Sequence, residues 1–517
     1  MGTSITIEEA GGSRKITCQA GESILDALIR NEIYVSAACG GKGKCGKCKI
    51  QLLAGSLPVT PGDQKKLKTE ELESGVRLSC LAFPKEDCRI RLQVQKDEEF
   101  DILSEEIEEK QMTEESGYAV AIDIGTTTLA MVLVGLDSGK TLKSYSAINR
   151  QRAYGADVIS RIQASNDGKK EELRKSIQED LQKGVRVLMN QGGLKPEQIR
   201  KVAIGGNTTM GHLLMGFSCE NLGVYPFRPV DIGTISGSFA QIIGSMEGAP
   251  ECPVILLPGI STYVGGDILS GLLACGFAES EETCLLVDLG TNGEMAIGKK
   301  DRILVTSTAA GPAFEGGNIS CGMGSVAGAI CNVDLSGGGV HVRTIGGKAP
   351  IGLCGTGVIE TVSELVKEDY VDDTGRLEEP YFEQGFELAR TPEGQPICFT
   401  QKDVREIQLA KSAVRAGIET LLKRFGASYS DISRVYLAGG FGFHMDQQKA
   451  VSIGLLPSGL ADRLETVGNS SLSGAIRYLL DEDAPAQAEQ ILEAASEVEL
   501  STDSAFNEFY MEYMYFE

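Results

Sequence analysis

The stretch YAVAIDIGTTTLAMVLV (118–134) joins two apolar runs of strand length through the polar turn Asp-Ile-Gly-Thr-Thr-Thr. A similar stretch, TCLLVDLGTNGEMAIG (283–298), places an Asp and a Gly-Thr pair between two further apolar runs. Apolar runs bounded by turn residues are typical of buried strands, so each stretch predicts a β-hairpin. The recurrence indicates an internal duplication and predicts that the chain contains two related halves.

The turn of each hairpin carries residues suited to binding a phosphate group. A tight turn offers backbone N–H groups and hydroxyls to phosphate oxygens, and an Asp beside it is placed to hold Mg²⁺ or its waters. One Gly-Thr turn is more often an ordinary turn than a phosphate clamp, but two copies favour the clamp. The predicted residues are Asp123, Gly125, Thr126, Thr127 and Thr128 in the first hairpin and Asp288, Gly290, Thr291, Asn292 and Gly293 in the second.

Paired glycines end a further apolar strand in each half. They lie in KVAIGGNTTM (201–210) and in SRVYLAGGFGFHM (433–445). Because glycine has no side chain, a nucleotide can lie directly against the backbone at such a place. We therefore predict nucleotide contacts at Gly439 and Gly440.

The N-terminal residues 1–95 contain short β segments around one helix at 22–33, which predicts a small α+β domain. The segment SAACGGKGKCGKCKI (36–50) spaces three cysteines as C-x5-C-x2-C, and a fourth follows in RLSCLA (77–82). Glycines in the loop let it wrap an anionic iron–sulfur cluster with its N–H groups toward the sulfur atoms. The predicted ligands are Cys39, Cys45, Cys48 and Cys80.

Two alternatives at this site stay open. Four cysteines also form tetrahedral zinc sites, although these usually combine two C-x2-C units, and Cys88 is a rival for the fourth ligand. The loop has one residue more than the plant-type spacing and resembles the adrenodoxin and putidaredoxin branch of [2Fe-2S] ferredoxins. Since RLSCLA is similar to the final-ligand segment of that family, the resemblance favours Cys80.

The segment 96–117 is strongly acidic with few apolar residues, which predicts a flexible linker. The whole chain has 49 Lys and Arg against 72 Asp and Glu, a net charge of -23, which disfavours nucleic acid as a partner. The sequence has no apolar run of about 18 residues, and its first residues lack the apolar region of a signal peptide. We expect a cytoplasmic protein that does not enter a membrane.

The duplicated hairpins and paired glycines resemble the superfamily of acetate and sugar kinases, Hsp70 and actin, in which two RNase H-like lobes close over ATP. The resemblance implies Mg²⁺ and ATP at phosphate motifs 123–128 and 288–293, and an adenosine motif at 438–440. In sugar kinases a catalytic Asp precedes the second phosphate motif, and Asp267 in YVGGDILSG (263–271) matches it. Asp267 either orients the attacking water or N-caps the helix that begins there.

The predicted fold is therefore an α/β multidomain protein, with a β-grasp ferredoxin domain followed by a two-lobed ATPase of this superfamily. The predicted domains are a ferredoxin domain at 1–95, a linker at 96–117, a first ATPase lobe with room for a small middle domain at 118–280, a second lobe at 281–480 and a C-terminal helix and tail at 481–517.

A ferredoxin domain, an acidic linker and this ATPase in one chain resemble the reductive activators of corrinoid proteins. The segments TSTAAGPAFEGGNISCGMGSVAGAI (306–330) and VELSTDSAFNEFYMEYMYFE (498–517) are similar to patterns of that family. The resemblance implies ATP-dependent transfer of one electron from the [2Fe-2S] cluster to an inactive Co(II) corrinoid protein, which restores Co(I) for methyl transfer. It also implies an external electron donor and a homodimer.

Two other functions use the same parts. Activators of radical dehydratases couple this ATPase fold to electron transfer, but they carry a [4Fe-4S] centre across a dimer interface and have no separate ferredoxin domain. A redox-sensing protein could use the ATPase lobes as a nucleotide-gated clamp on a partner without driving its reduction. The sequence alone does not exclude the second function.

Overall fold

The computed structural model describes residues 2–9, 12–31, 33, 35, 37, 39–92 and 109–516. The N-terminal domain has a five-stranded sheet of order β2-β1-β5-β3-β4. Its strands and helices are β1 (Thr3–Glu9), β2 (Gly12–Cys18), α1 (Ile24–Arg30), β3 (Lys49–Ala54), α2 (Pro61–Lys66), α3 (Thr69–Glu73), β4 (Val76–Leu78) and β5 (Cys88–Leu92).

Helix α1 packs on this sheet as the sequence predicts. It begins after Ser23, whose hydroxyl accepts a hydrogen bond from the backbone N–H of Asp26 at 3.1 Å. Its buried residues Ile24, Leu25 and Leu28 join the core of the domain. Strands β1 and β5 pair in parallel while their outer neighbours pair antiparallel, so the domain has the predicted β-grasp fold.

The first ATPase lobe is built on a six-stranded sheet of order β10-β11-β9-β6-β7-β8. Its strands and helices are β6 (Tyr118–Ile124), β7 (Thr128–Gly135), β8 (Thr141–Ile148), α4 (Val158–Ala164), α5 (Lys170–Gly192), β9 (Ile199–Gly206), α6 (Thr208–Met215), β10 (Ile235–Ser238), α7 (Phe239–Ile242), β11 (Pro253–Leu256) and α8 (Gly266–Ala274). Strand β6 is buried along almost its whole length because helices cover both faces of the sheet.

The second lobe has a six-stranded sheet of order β21-β20-β12-β13-β14-β22 and two small accessory sheets. Its strands and helices are β12 (Thr283–Leu289), β13 (Gly293–Lys299), β14 (Arg302–Thr308), β15 (Ala329–Asp334), β16 (His341–Thr344), β17 (Gly352–Leu353), α9 (Gly355–Lys367), α10 (Tyr381–Gln384), β18 (Phe386–Arg390), β19 (Pro396–Phe399), α11 (Gln401–Phe425), β20 (Ile432–Ala438), α12 (Gly440–His444), α13 (Gln447–Ser452), β21 (Leu464–Gly468), α14 (Ser470–Leu480), α15 (Ala484–Ala494), β22 (Ala495–Glu497) and α16 (Ser504–Glu512).

The two lobes share one strand topology, which confirms the duplication. In the first lobe, β6, β7 and β8 pair antiparallel, and β9 and β11 then add in parallel on the other side of β6. In the second, β12, β13 and β14 repeat the antiparallel part, and β20 and β21 repeat the parallel part. The predicted hairpins are thus β6–β7 and β12–β13, and each lobe has the predicted RNase H-like arrangement.

Helices α8 and α14 cross between the lobes, and each packs against the sheet of the other half. Helix α14 buries Leu472 and Leu479 against β6, β7 and β9, while α8 buries Leu272 against β12 and β13. A side chain at Gly474 would lie 2.0 Å from the backbone oxygen of Ser270, so only glycine permits this crossing. The crossing joins the lobes at the base of the cleft.

The last residues of the predicted linker contact the first lobe. Residues 93–108 lie outside the described part, so the flexible linker stays a prediction there. Beyond them, Glu109 accepts from the backbone N–H of Ser144 at 2.9 Å, and Glu115 accepts from that of Asp137 at 2.8 Å. These bonds fix residues 109–117 to the first lobe, so a free tether is shorter than 96–117.

Helix α16 packs on α11. The buried Lys411 donates to the backbone oxygens of Tyr513 and Tyr515 at 2.7 and 2.6 Å, which anchors the end of the chain. Across the part of the chain that the structure describes, no helix has both the length and the apolar character needed to cross a membrane.

Candidate nucleotide and cluster sites

A cleft of about 1570 Å³ opens between the two lobes, and both hairpin turns line it. Parallel strands β6 and β9, like β12 and β20, end at the same edge of their sheets, which brings the turns and the glycine pair together. The predicted residues that line the cleft are Asp123, Gly125, Thr126, Thr127, Thr128, Asp267, Asp288, Gly290, Thr291, Asn292, Gly439 and Gly440. Gly293 does not line it, because its Cβ position lies 3.1 Å from Val414 on α11.

Asp123 is held by the second half of the chain. Asn469 donates to one carboxylate oxygen at 2.9 Å and Ser471 to the other at 2.7 Å. Both donors lie at the start of α14, the helix that crosses onto the first lobe. Burial raises the pKa of Asp123 despite these two hydrogen bonds. The first phosphate turn is therefore tied to an element far away in sequence.

Asp267 lies in the first turn of α8 and does not cap it. The N-cap is Gly265, and the Asp267 carboxylate accepts from the backbone N–H of Ile268 at 2.8 Å. The helix-cap alternative is therefore wrong. Burial raises the pKa of Asp267 to about 7, and the charge of Asp123 acts in the same direction.

A further carboxylate in the cleft is Glu294 on β13, which lies near Asp267 and Asp288. We call Asp123, Asp267, Asp288 and Glu294 the acidic floor of the cleft. Burial raises the pKa of Glu294 well above its usual range, and the charges of Asp267 and Asp288 raise it further. Mutual repulsion among these groups and Asp123 favours a cation nearby, although the described side chains leave no position that three of them could coordinate together. The motifs did not indicate Glu294, because it follows the turn as an ordinary strand residue.

Glu315 joins the two hairpin turns. Its carboxylate accepts from the Thr127 hydroxyl of the first turn at 3.3 Å and from the Thr291 hydroxyl of the second at 3.0 Å. It lies in the segment 306–330, which the sequence marked only through its resemblance to a family. No local pattern distinguishes Glu315 from other acidic residues, so the sequence gave no signal for this role.

The glycine pair after β20 lines the cleft beside the second hairpin. Gly439 has a φ of 86°, and a Cβ there would lie 2.6 Å from the backbone oxygen of Leu289. A Cβ at Gly440 would meet nothing within 4 Å, so its cleft side is open. Next to it, Phe441 stacks on Phe314 with ring centroids 5.3 Å apart. This surface suits a planar base.

The four predicted cysteines of the N-terminal domain form two pairs. The Sγ atoms of Cys48 and Cys80 lie 3.3 Å apart, and Cys39 interacts with Cys45. Within the described residues, no three or more Cys, His, Asp or Glu side chains gather around a single metal position. Two pairs fit two bridged irons better than one tetrahedral zinc. The donor set therefore fits a [2Fe-2S] cluster.

The loop around these cysteines is shaped for an anion, and Cys88 is not part of it. Gly40, Gly41, Gly43 and Gly46 all have positive φ, and the backbone N–H of Lys44 points at Cys39 Sγ, 3.4 Å away. Cys88 instead begins β5, paired with Ile5. The structure therefore favours Cys80 over Cys88.

The cysteine loop lies against the ATPase at the mouth of the cleft. Cys45 and Lys47 line the same cleft as the phosphate turns. A Cβ on Gly40 would lie 2.4 Å from the backbone oxygen of Tyr154, and Lys42 pairs with Asp167 at 3.8 Å. Both Tyr154 and Asp167 belong to the first lobe.

Family models match three consecutive parts of the chain. They are the 2Fe-2S iron-sulfur cluster binding domain at residues 7–85, the RACo middle region at 118–280 and the C-terminal domain of RACo, the ASKHA domain, at 282–517. The corrinoid activation enzyme RamQ of Eubacterium limosum is 32% identical over 423 residues, which cover 76% of this chain and 69% of that protein. The chain belongs to the RACo family.

Two further RACo-like proteins agree with this assignment. The [Co(II) methylated amine-specific corrinoid protein] reductase of Methanosarcina barkeri is 27% identical over 432 residues, 76% of each chain. The solved structure of a reductive activator for corrinoid,iron-sulfur protein has a TM-score of 0.70 and 27% identity, and the match covers 99% of this chain and 98% of that one. The predicted fold and family are confirmed, and the RACo-family ferredoxin domain supports a [2Fe-2S] cluster over zinc.

Proposed function

We propose that this chain uses ATP to drive an electron from its iron–sulfur cluster onto the Co(II) form of a corrinoid protein, which restores Co(I). The observation that carries the proposal is the position of the cysteine loop at the mouth of the duplicated phosphate cleft. One chain thus combines an electron carrier and a nucleotide site in contact. The names of its relatives point to the corrinoid acceptor.

Cys39, Cys45, Cys48 and Cys80 would hold the [2Fe-2S] cluster, which supplies a one-electron carrier of low potential when bound. The glycine loop supplies backbone N–H groups that stabilise negative charge at the sulfur atoms. Burial of Cys48 and Cys80 excludes water from one side of the site. Cys39 and Cys45 are partly exposed and Cys45 lines the cleft, which leaves that side for electron exchange.

The cleft residues would bind ATP with Mg²⁺. The turns 125–128 and 290–292 offer hydroxyls and N–H groups to the phosphates, and the glycines at 439–440 leave room for adenosine. Asp123 and Asp288 would hold Mg²⁺ or its waters, and their charge would be neutralised by the ion. Asp267 would orient the attacking water, because its carboxylate is part of the same acidic floor.

A short segment of the first lobe connects the phosphate turn to the cysteine loop. The Asn149 side chain donates to the backbone oxygen of Gly125 at 2.9 Å, and its backbone N–H donates to that of Thr127, also at 2.9 Å. A few residues on, Tyr154 contacts Gly40. A shift of the turn on nucleotide binding would therefore move the surface on which the cysteine loop rests.

An acceptor with a potential below that of the cluster would explain why ATP is needed. The reduction potential of a plant-type [2Fe-2S] centre is about -400 mV. Each ~59 mV by which the acceptor potential lies below it makes the one-electron transfer tenfold less favourable. Closure of the lobes can supply this driving force only if it binds one state of the corrinoid protein better than the other. We propose that nucleotide-dependent closure provides that difference.

The remaining participants follow from the same scheme. A corrinoid protein of a methyltransferase system is the acceptor, an external donor returns electrons to the cluster, and two copies of the chain form a homodimer. No role for nucleic acid is proposed, given the net charge of -23. Since the cytoplasm supplies ATP, the reaction would take place there.

The test is anaerobic spectroscopy of Co(I) formation on a purified Co(II) corrinoid methyltransferase subunit. We expect Co(I) only when reductant, Mg²⁺ and ATP are all present with the intact chain. The ferredoxin domain mixed with the separate ATPase lobes should reduce the acceptor far more slowly, because the contact between the cysteine loop and the cleft is no longer intramolecular.

Three results would contradict the proposal. Equal Co(I) formation with and without ATP would show that ATP is not coupled to the electron transfer, and no Co(I) under any condition would favour a redox sensor. Activation of a radical dehydratase instead of a corrinoid protein would assign the chain to the other electron-transfer ATPases. None of these results would alter the fold.

A further inference from the structure

Glu315 accepts hydrogen bonds from hydroxyls of both phosphate turns. Its two carboxylate oxygens accept separately, one from Thr127 at 3.3 Å and the other from Thr291 at 3.0 Å. Thr127 follows β6 and Thr291 follows β12, so a single carboxylate spans the two halves of the cleft.

The two threonine hydroxyls are the donors that a terminal phosphate between the turns would use. A carboxylate and a phosphate are both anions with oxygen acceptors, so they compete for the same O–H groups. A hydroxyl donates one hydrogen at a time. Glu315 and a terminal phosphate therefore cannot both be bound by Thr127 and Thr291.

The surroundings of Glu315 let its carboxylate leave this position. Arg152, which lines the same cleft, attracts it, and the residue is followed by the glycines at 316 and 317. Glu315 ends the short helical turn Pro312–Glu315, and Phe314 of that turn stacks on Phe441 beside the glycine pair. Movement of Glu315 would therefore also shift Phe314, and with it the surface beside Gly439 and Gly440 that is proposed to bind adenosine.

We propose that Glu315 is an internal competitor for the terminal phosphate, one that holds the two turns together until ATP displaces it. This inference rests on the proposed nucleotide function and adds a specificity-determining residue to it. ADP lacks the γ-phosphate, which is the terminal phosphate of ATP, and leaves the two hydroxyls to Glu315. Glu315 therefore weakens binding of the triphosphate but not of the diphosphate. The position of its side chain then depends on which nucleotide is bound.

The experiment compares the affinities of the full-length chain for a non-hydrolysable ATP analogue and for ADP, with Mg²⁺, by calorimetry. Glu315→Gln keeps the size of the side chain but removes the charge, which weakens its bonds to the hydroxyls and its repulsion of phosphate. We expect the variant to bind the ATP analogue roughly tenfold more tightly, and to change its ADP affinity by less than about twofold.

Asp446→Asn is the matched control, since it removes one negative charge from the same cleft, keeps an N-cap side chain for α13 and contacts neither threonine. It should not change the ratio of the two affinities. A second control is Thr291→Val, in which Glu315→Gln should have a much smaller effect because the shared donor is gone.

Four results would overturn the proposal. Weaker binding of the ATP analogue to Glu315→Gln would make Glu315 a ligand of Mg²⁺ or phosphate. An equal change of the ratio in Asp446→Asn would show that the effect is general charge repulsion. If the wild-type chain binds neither nucleotide, the proposed nucleotide function fails together with this inference, whereas normal wild-type binding with an unchanged ratio in Glu315→Gln overturns the inference alone.

Discussion

The cysteine loop and the nucleotide cleft lie side by side but are assembled in different ways. Three of the four cysteines come from one stretch of ten residues, Cys39 to Cys48. The fourth, Cys80, lies in the connection between β4 and β5. The cleft takes residues from both lobes, and Asp123 is held by Asn469 and Ser471 from the far end of the chain. A local site can form when its own domain folds, whereas the cleft requires the whole ATPase.

This difference predicts that the two sites fail independently, and the largest effect is expected at the loop. Replacing any one of Cys39, Cys45, Cys48 or Cys80 with Ala should abolish the cluster, which the wild type should hold with about two irons and two sulfides per chain. Iron analysis and visible absorption measure this loss, while ATP hydrolysis should persist.

Cys88→Ala is the matched control for those variants, because Cys88 is buried at the start of β5. It should keep the cluster spectrum. Stoichiometric zinc in the wild type, with no visible absorption, would show that the two cysteine pairs do not hold a [2Fe-2S] cluster.

The next effect concerns the cleft alone. Asp123→Asn or Asp288→Asn removes charge that faces Mg²⁺, so ATP hydrolysis should fall by about 10²-fold or more while the cluster spectrum stays unchanged. Steady-state hydrolysis and the melting temperature are measured together. Unchanged turnover in both variants would reduce the duplicated hairpins to ordinary turns.

The smallest expected effect concerns Asp267, which we expect to act on water in the cleft rather than to bind Mg²⁺. Burial raises the pKa of Asp267 to about 7 in the folded chain, so its ionised form is disfavoured there. Stability linked to this group is fully present below its unfolded pKa and is lost as pH rises through about 7. Without Mg²⁺, Asp267→Asn should therefore have a higher free energy of unfolding than wild type at pH 8.

Denaturant unfolding in a chelating buffer at pH 5 and pH 8 measures this gain, which should be smaller at pH 5. Turnover of ATP should fall in the same variant while the affinity for ATP is kept, because an asparagine cannot accept a proton from water. A variant that is less stable than wild type at pH 8 would mean that Asp267 supports α8 after all.

The sequence predicted the parts whose residues are close together in the chain. The C-x5-C-x2-C spacing indicated the cluster loop, and the two Gly-Thr hairpins indicated the duplicated lobes, because turn chemistry and strand patterns are local properties. Gly293 was included with its neighbours by the same logic, but the structure turns it toward Val414. A local pattern identifies a turn without fixing which way each residue faces.

What the sequence by itself determined is the fold of each lobe, together with the predictions that four cysteines hold the cluster and that an aspartate lies at each phosphate turn. What only the tertiary structure decided is which distant residues complete those sites: Asn469 and Ser471 at Asp123, Glu294 on the acidic floor, Glu315 between the turns and Tyr154 beneath the cysteine loop. The reason is that strand order and the crossing of α8 with α14 bring together residues with no fixed spacing along the chain. Hydrogen bonds and charge interactions depend on distance in space, and no sequence pattern records that distance.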